Sequence, residues 1–107
     1  MNQIEKIKRM EQNMDEVSET LKMLDEALEK YIDVQTQLQE LNEYYGSAEW
    51  RKDFEDDSIG MMPPDLKRGV LSEDGAYNLL MENRRLLDRM TEVIGNCGRN
   101  GLENRTE

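Results

Sequence analysis

Residues 2–45, NQIEKIKRMEQNMDEVSETLKMLDEALEKYIDVQTQLQELNEYY, contain neither glycine nor proline, and all seven glycines and both prolines lie beyond them. The two residue types that oppose helix most strongly are therefore missing, and a single long helix over residues 1–45 is predicted. Ile7, Met10, Met14, Val17, Leu21, Leu24, Leu28 and Tyr31 recur at alternating spacings of three and four. That period is the seam of a coiled coil. Glu11, Glu16, Glu19, Lys22, Asp25, Glu26, Glu29 and Lys30 lie off the seam, as expected of its solvated faces. Near Ile32 to Leu41 the register blurs. The series continues as Gln35 and Leu38, while Val34, Leu38, Leu41 and Tyr45 form an adjacent stripe, so the buried face is expected to rotate there toward a different neighbour.

Gly46 is positioned to stop the helix in a left-handed conformation, and Ser47 to cap the next one. Residues 47–57, SAEWRKDFEDD, read as a short helix with Trp50 and Phe54 one turn apart on one side. Gly60, the pair Pro63 and Pro64, and Gly69 then break regular structure, so residues 46–72 form a connector. Ser72, with Glu73 and Asp74 after it, reads as the N-cap of a second helix over residues 73–94, its positive end beside acidic residues. Ala76, Leu80, Leu87, Met90 and Ile94 share a face of that helix, and Asn83 interrupts the stripe. Gly95 is expected to end it, and residues 95–107 have the composition of a flexible tail. The fold class is thus all-α: a long N-terminal coiled-coil-like helix, an ordered connector with a short helix, and a second, antiparallel helix, making a helical hairpin.

Length turns this pattern into an argument about partners. At 1.5 Å per residue the first helix would run roughly 65 Å and the second roughly 33 Å, so the second could cover about half of the first. The seam from Ile7 through Met10, Met14, Val17, Leu21 and Leu24 would have no mate within the chain. Pairing with another copy or with a partner helix would cover it. A long helix that breaks and folds back as a three-helix bundle would cover it too, but no glycine or proline marks such a break.

Composition narrows the function classes. The chain has 107 residues, 36% of them apolar and 36% charged, with six aromatic residues in all. This leaves little material for the large closed core around an enzyme pocket. Its net charge of −10 argues against direct contact with nucleic acid, where clustered Lys and Arg must displace counterions. No run approaches a membrane span, and MNQIEKIKRM is too charged for a signal peptide, so a cytoplasmic protein is expected. Histidine is absent, removing the commonest general base and metal ligand at neutral pH. The single cysteine, Cys97, lies in the run GNCG near the C-terminus, a tail thiol rather than a nucleophile. No catalytic residue, metal ligand or cofactor is predicted.

The remaining candidates cluster in the connector. Tyr44, Tyr45, Trp50, Phe54 and Tyr77 account for five of the six aromatic residues, and in a core-poor chain they are expected to fasten the connector onto the helices rather than to stand as exposed anchors. The acidic run Asp53, Glu55, Asp56, Asp57 does not fit a calcium-binding EF-hand loop. Counted from Asp53, Ser58 occupies the glycine position and Pro64 the bidentate glutamate position. Lys67 and Arg68 are placed to fold back onto those carboxylates. Asp53 and Asp65 could serve as an acid and base, but nothing in their spacing selects them over other surface carboxylates.

YYGSAEWRKDFEDD (residues 44–57) and PPDLKRGVLSEDGAYNLL (residues 63–80) resemble the hallmark segments of the family known as domain of unknown function 4298. The positions that carry the resemblance are Tyr45, Trp50, Asp53, Glu55, Pro64, Asp65, Leu66, Lys67, Arg68, Gly69, Leu71, Ser72, Tyr77 and Leu80. Ser58 departs from it, standing where the family has an acidic residue. The resemblance implies a bacterial, intracellular protein whose connector is a defined structural unit, and it implies no activity.

A non-enzymatic interaction module is therefore expected, one that self-associates or pairs with a partner helix through Ile7, Met10, Met14, Val17, Leu21 and Leu24. Its connector, with Tyr45, Trp50, Asp53, Phe54, Asp65, Lys67, Arg68 and Tyr77, would be a structural clasp or a binding site. Two alternatives use other features. An acidic decoy could occupy the basic nucleic-acid groove of another protein, since residues 1–45 hold five basic against eleven acidic residues. A small anion or ligand could bind the connector at Lys67, Arg68, Trp50 and Tyr77.

Overall fold

The computed structural model describes residues 2–98. It is all-α, with α1 (Gln3–Asp33), α2 (Gln35–Tyr44), α3 (Ala48–Ser58), a 3₁₀ turn (Gly69–Leu71), α4 (Gly75–Val93) and a π-helical turn (Ile94–Gly98). The described residues divide into two compact units, one ending at residue 39 and the other beginning at residue 40.

The first unit is α1 and the beginning of α2. The Asn2 side chain caps α1, its Oδ1 accepting the Glu5 N–H at 2.8 Å. Glu5 in the first turn and Lys30 in the last match the helix dipole. The single helix expected over residues 1–45 is corrected here: Val34, at φ −95° and ψ 6°, interrupts it. Helical hydrogen bonding still runs through the interruption, from the Val34 N–H to the Lys30 carbonyl and from the Leu38 N–H to the Val34 carbonyl. Between them the Gln35 side-chain amide donates to the Tyr31 carbonyl at 2.9 Å. That carbonyl is also the one the Gln35 backbone N–H faces in a regular helix, so the side-chain bond lies at the interruption itself.

The second unit holds the end of α2, α3, the connector and α4. Gly46 closes α2 at φ +81°, a conformation that costs a side-chain-bearing residue and suits glycine. The Ser47 side chain then caps α3 by accepting the Trp50 N–H at 3.1 Å. At the far end of α3, Met61 N–H reaches the Asp56 carbonyl and Gly60 N–H the Asp57 carbonyl, the paired bonds of a Schellman motif. Leu71 and Ala76 are the buried hydrophobic residues among those described, so this unit rests on a small core where the 3₁₀ turn meets the start of α4.

The N-cap expected at Ser72 is corrected: α4 starts at Gly75 with Asp74 at its N-cap and no side-chain cap bond, and Ser72 instead closes the 3₁₀ turn. Its Oγ donates to the Gly69 carbonyl at 2.7 Å and accepts the Gly75 N–H at 2.9 Å. Gly95 does not terminate the helical run; the backbone continues through a π turn to Gly98. The exposed Cys97 lies on that turn. Of the tail expected over residues 95–107, the part beyond Gly98 lies outside the described residues.

A substitution at the start of α4 has a definite expected effect. A Cβ on Gly75 would lie 2.4 Å from the Gly69 carbonyl oxygen and 2.5 Å from Ser72 Oγ. In an ordinary helical position Gly→Ala stabilises by up to about 1 kcal/mol; here overlap with a backbone carbonyl outweighs that gain. Gly75→Ala is expected to lower the melting temperature by about 10 °C, the size of shift that a loss of roughly 2 kcal/mol gives in a small domain. Circular dichroism melts check it, and a rise in melting temperature would contradict the close approach.

Candidate functional site

Two groups of residues are placed to do something beyond holding a helix. In the second unit, the aromatic residues around Gly46 converge. Tyr45 meets Trp50 edge-on, with ring centroids 5.2 Å apart at 72°, and Trp50 stacks on Phe54 at 5.2 Å and 20°. The α3 register makes the second contact, since positions four apart share a helix face. The polar handles of these rings reach backbone. Trp50 Nε1 donates to the Val70 carbonyl at 2.9 Å, and the Tyr45 hydroxyl donates to the Glu73 carbonyl at 2.9 Å. Two ring systems thereby tie the end of α2 and α3 to the 3₁₀ turn and the approach to α4.

Arg68 closes the connector loop. Its guanidinium pairs with Asp57 at 2.7 Å and donates to the Pro63 carbonyl at 2.6 Å and the Leu66 carbonyl at 3.3 Å. The fold-back onto the acidic run is thus made by Arg68 onto Asp57, while Lys67 and Asp65 are exposed. Asp53 joins Tyr44, whose hydroxyl donates to its carboxylate at 2.5 Å. Tyr77 is 51% exposed on α4 and does not share the Tyr45, Trp50 and Phe54 stack. Tyr44, named among the connector aromatics, joins through Asp53, whereas Val70 and Glu73 belong to the constellation through backbone carbonyls that the sequence did not single out. For the two backbone carbonyls no side-chain pattern could have done so.

Partial burial and the hydrogen bond to Asp53, whose charge adds to the effect, push the Tyr44 hydroxyl up from 10.0 to about 12. Because the folded value is raised, the contribution of this contact to stability is full below pH 10 and is lost as pH rises from 10 toward about 12. Tyr44→Phe is expected to flatten the alkaline limb of the stability curve. Ultraviolet titration of tyrosinate should likewise show the parent's highest-pH component missing in the variant. An unchanged titration would contradict the pairing.

Among the described residues no group of three or more His, Cys, Asp or Glu is arranged to hold a metal ion, and no helix is long and apolar enough to cross a membrane.

The second group is the seam in the first unit. Ile7, Met10, Met14, Val17, Leu21 and Leu24 lie along α1, each between 47% and 60% exposed. Asn13, Met14, Val17, Ser18 and Leu21 line a shallow, mostly apolar groove in this stripe. Successive seam residues with the small Ser18 beside them leave a recess flanked by larger side chains, the relief that accepts a side chain from another helix.

The fold and these two surfaces define an all-α chain with an aromatic cluster at its connector and an exposed apolar row along α1. The family described as domain of unknown function 4298 matches residues 7–93, and the chain belongs to that family. The match spans the seam and the clasp alike. No curated protein and no solved structure matches the chain.

Proposed function

We propose that this protein is a non-enzymatic helical interaction module whose working surface is the α1 seam and whose connector is a structural clasp. The single observation that carries the reading is the exposure of Ile7, Met10, Met14, Val17, Leu21 and Leu24 along one helix at coiled-coil spacing. Fully burying an apolar side chain of this size contributes about 1.5–3 kcal/mol, and with roughly half of each of the six still exposed the row keeps a substantial unused driving force for pairing. Single exposed apolar residues are ordinary; a contiguous periodic row is the feature associated with docking.

The clasp reading rests on where the polar groups are spent. Trp50, Tyr45 and Arg68 direct their donors to backbone carbonyls and to Asp57 within their own unit. An anion arriving at Arg68 would have to displace an existing carboxylate. That disfavours a ligand site there and favours a role in holding α3 against the connector.

Sedimentation velocity at low and high micromolar concentration tests the proposal. A concentration-dependent mass above that of the 12.6 kDa monomer, or a stable complex with a partner helix that protects α1 from proteolysis, is the expected result. A strict monomer with a fully helical α1 and no helical partner would overturn it.

A further inference from the structure

Resting on that reading of the seam, we infer that the occupant of α1 is a second copy of this chain, lying parallel and in register. With Ile7, Met14, Leu21 and Leu28 at the a positions and Met10, Val17 and Leu24 at d, the flanking residues are fixed by the sequence. Lys6, Asn13, Thr20 and Ala27 fall at g, and Glu11, Ser18, Asp25 and Ile32 at e. In a parallel pair each g residue faces the e residue five places on in the other helix. Lys6 then meets Glu11 of the second copy, once on each side of the seam, and Ala27 meets Ile32, which is 61% exposed in the single chain. Asn13 meets Ser18 and Thr20 meets Asp25. No like charges face each other.

The antiparallel arrangement reverses this balance, because e residues then face e residues. The register that uses the seam from Ile7 to Tyr31 sets Met10 against Leu28 and Met14 against Leu24, and it places Glu11 opposite Asp25 at both ends. Like charges across such an interface are repulsive. In return it brings Ile4 beside Ile32, but Ile4 lies in the first turn of α1, where helix ends fray.

The relief of the seam agrees with a copy of itself as partner. Met14, Val17, Ser18 and Leu21, which line the groove, occupy the a, d, e and next a positions. Those four positions form the hole for a d-position knob in a parallel pair. The knob at that level, in register, is Val17 of the second copy, and the small Ser18 leaves it room. Charge and shape of this chain thus complement the same chain.

Cysteine crosslinking decides the geometry. In a Cys97→Ser background, Met10→Cys in a glutathione redox buffer is expected to give a disulfide-linked dimer, since only the parallel in-register pair brings the two position-10 side chains together. In the uncrosslinked chain at low salt, Glu11→Lys is expected to weaken association roughly tenfold, because two Lys6–Glu11 attractions become repulsions. If Met10→Cys stays unlinked while a mixture of Met10→Cys and Leu28→Cys crosslinks, or if Glu11→Lys tightens association, the pairing is antiparallel: the parallel register falls and self-association stands. A dimer that crosslinks in neither test also overturns the register. A chain that sediments as a monomer throughout removes the second copy and leaves only a different partner helix for the seam.

Discussion

Leu21→Asp is expected to leave the chain monomeric at concentrations where the parent associates. Leu21 is an a-position residue in the middle of the exposed row, 59% accessible in the single chain. Each copy would lose the burial of the accessible part of one leucine, about 1 kcal/mol, and would instead have to desolvate a carboxylate or hold the seam open around it. Two copies lose about 2 kcal/mol from the leucines alone, which corresponds to roughly a thirtyfold weaker dimer before the carboxylate's desolvation is added. Sedimentation equilibrium reads that change directly. Glu19→Ala, on the opposite face of the same helix, should leave the mass unchanged. Helicity should track the mass, because most helical stability in proteins comes from packing an apolar face rather than from intrinsic propensity. The α1 signal in circular dichroism is therefore expected to fall on dilution of the parent and to be low at all concentrations in Leu21→Asp. A variant that retains the parent's mass would mean that association, if present, uses another surface.

How far the architecture could be read in advance depends on which kind of interaction decides each point. Gly46, Ser47 and the Trp50–Phe54 spacing were legible because they act locally: a left-handed closure, a side-chain cap and a one-turn interval are properties of adjacent residues. The interruption at Val34 is not legible, since neither glycine nor proline is there to mark it and the Gln35 side-chain bond to the Tyr31 carbonyl leaves no sign in the sequence. Gly95 misled for the opposite reason. Glycine permits a left-handed stop without requiring one, and the chain winds on into a π turn.

The candidate site divides along the same line. The apolar row on α1 is a periodicity, so its members can be named from spacing alone, and all six are about half exposed. In the clasp, Arg68 meeting Asp57 stems from charge on either side of a turn, but Tyr45 reaching the Glu73 carbonyl and Trp50 reaching the Val70 carbonyl are long-range contacts to backbone atoms. Every residue offers the same carbonyl, so sequence carries no mark of which one is chosen. Tyr77 matched the aromatic pattern of the clasp yet lies half exposed on α4. Its position in the resemblance is therefore not explained by the Tyr45, Trp50 and Phe54 stack.

Trp50→Ala is expected to be the most destabilising single change in the second unit. The ring contributes a stacked contact with Phe54, an edge-on contact with Tyr45 and the indole N–H bond to the Val70 carbonyl. Truncating a large aromatic residue in a packed position costs about 3–5 kcal/mol, and half-burial of Trp50 places this case near the lower figure. Little else is available to compensate, because the buried hydrophobic residues among those described are Leu71 and Ala76, beside the 3₁₀ turn that the indole holds. A loss of about 3 kcal/mol lowers the melting temperature of a domain this size by roughly 15 °C. Trp50→Phe separates packing from hydrogen bonding. It keeps a ring against Tyr45 and Phe54 but leaves the Val70 carbonyl without its donor, a cost of about 1 kcal/mol, or roughly 5 °C. The order parent, Phe, Ala in circular dichroism melts is what a clasp demands. If Trp50 were instead an anchor for an external partner, both substitutions would leave the melting temperature of the isolated chain close to the parent's and would act only on binding. A difference of less than about 2 °C for Trp50→Ala, small against the shifts expected for a loss of even 1 kcal/mol, would therefore reassign the aromatic cluster from the protein's scaffold to its working surface.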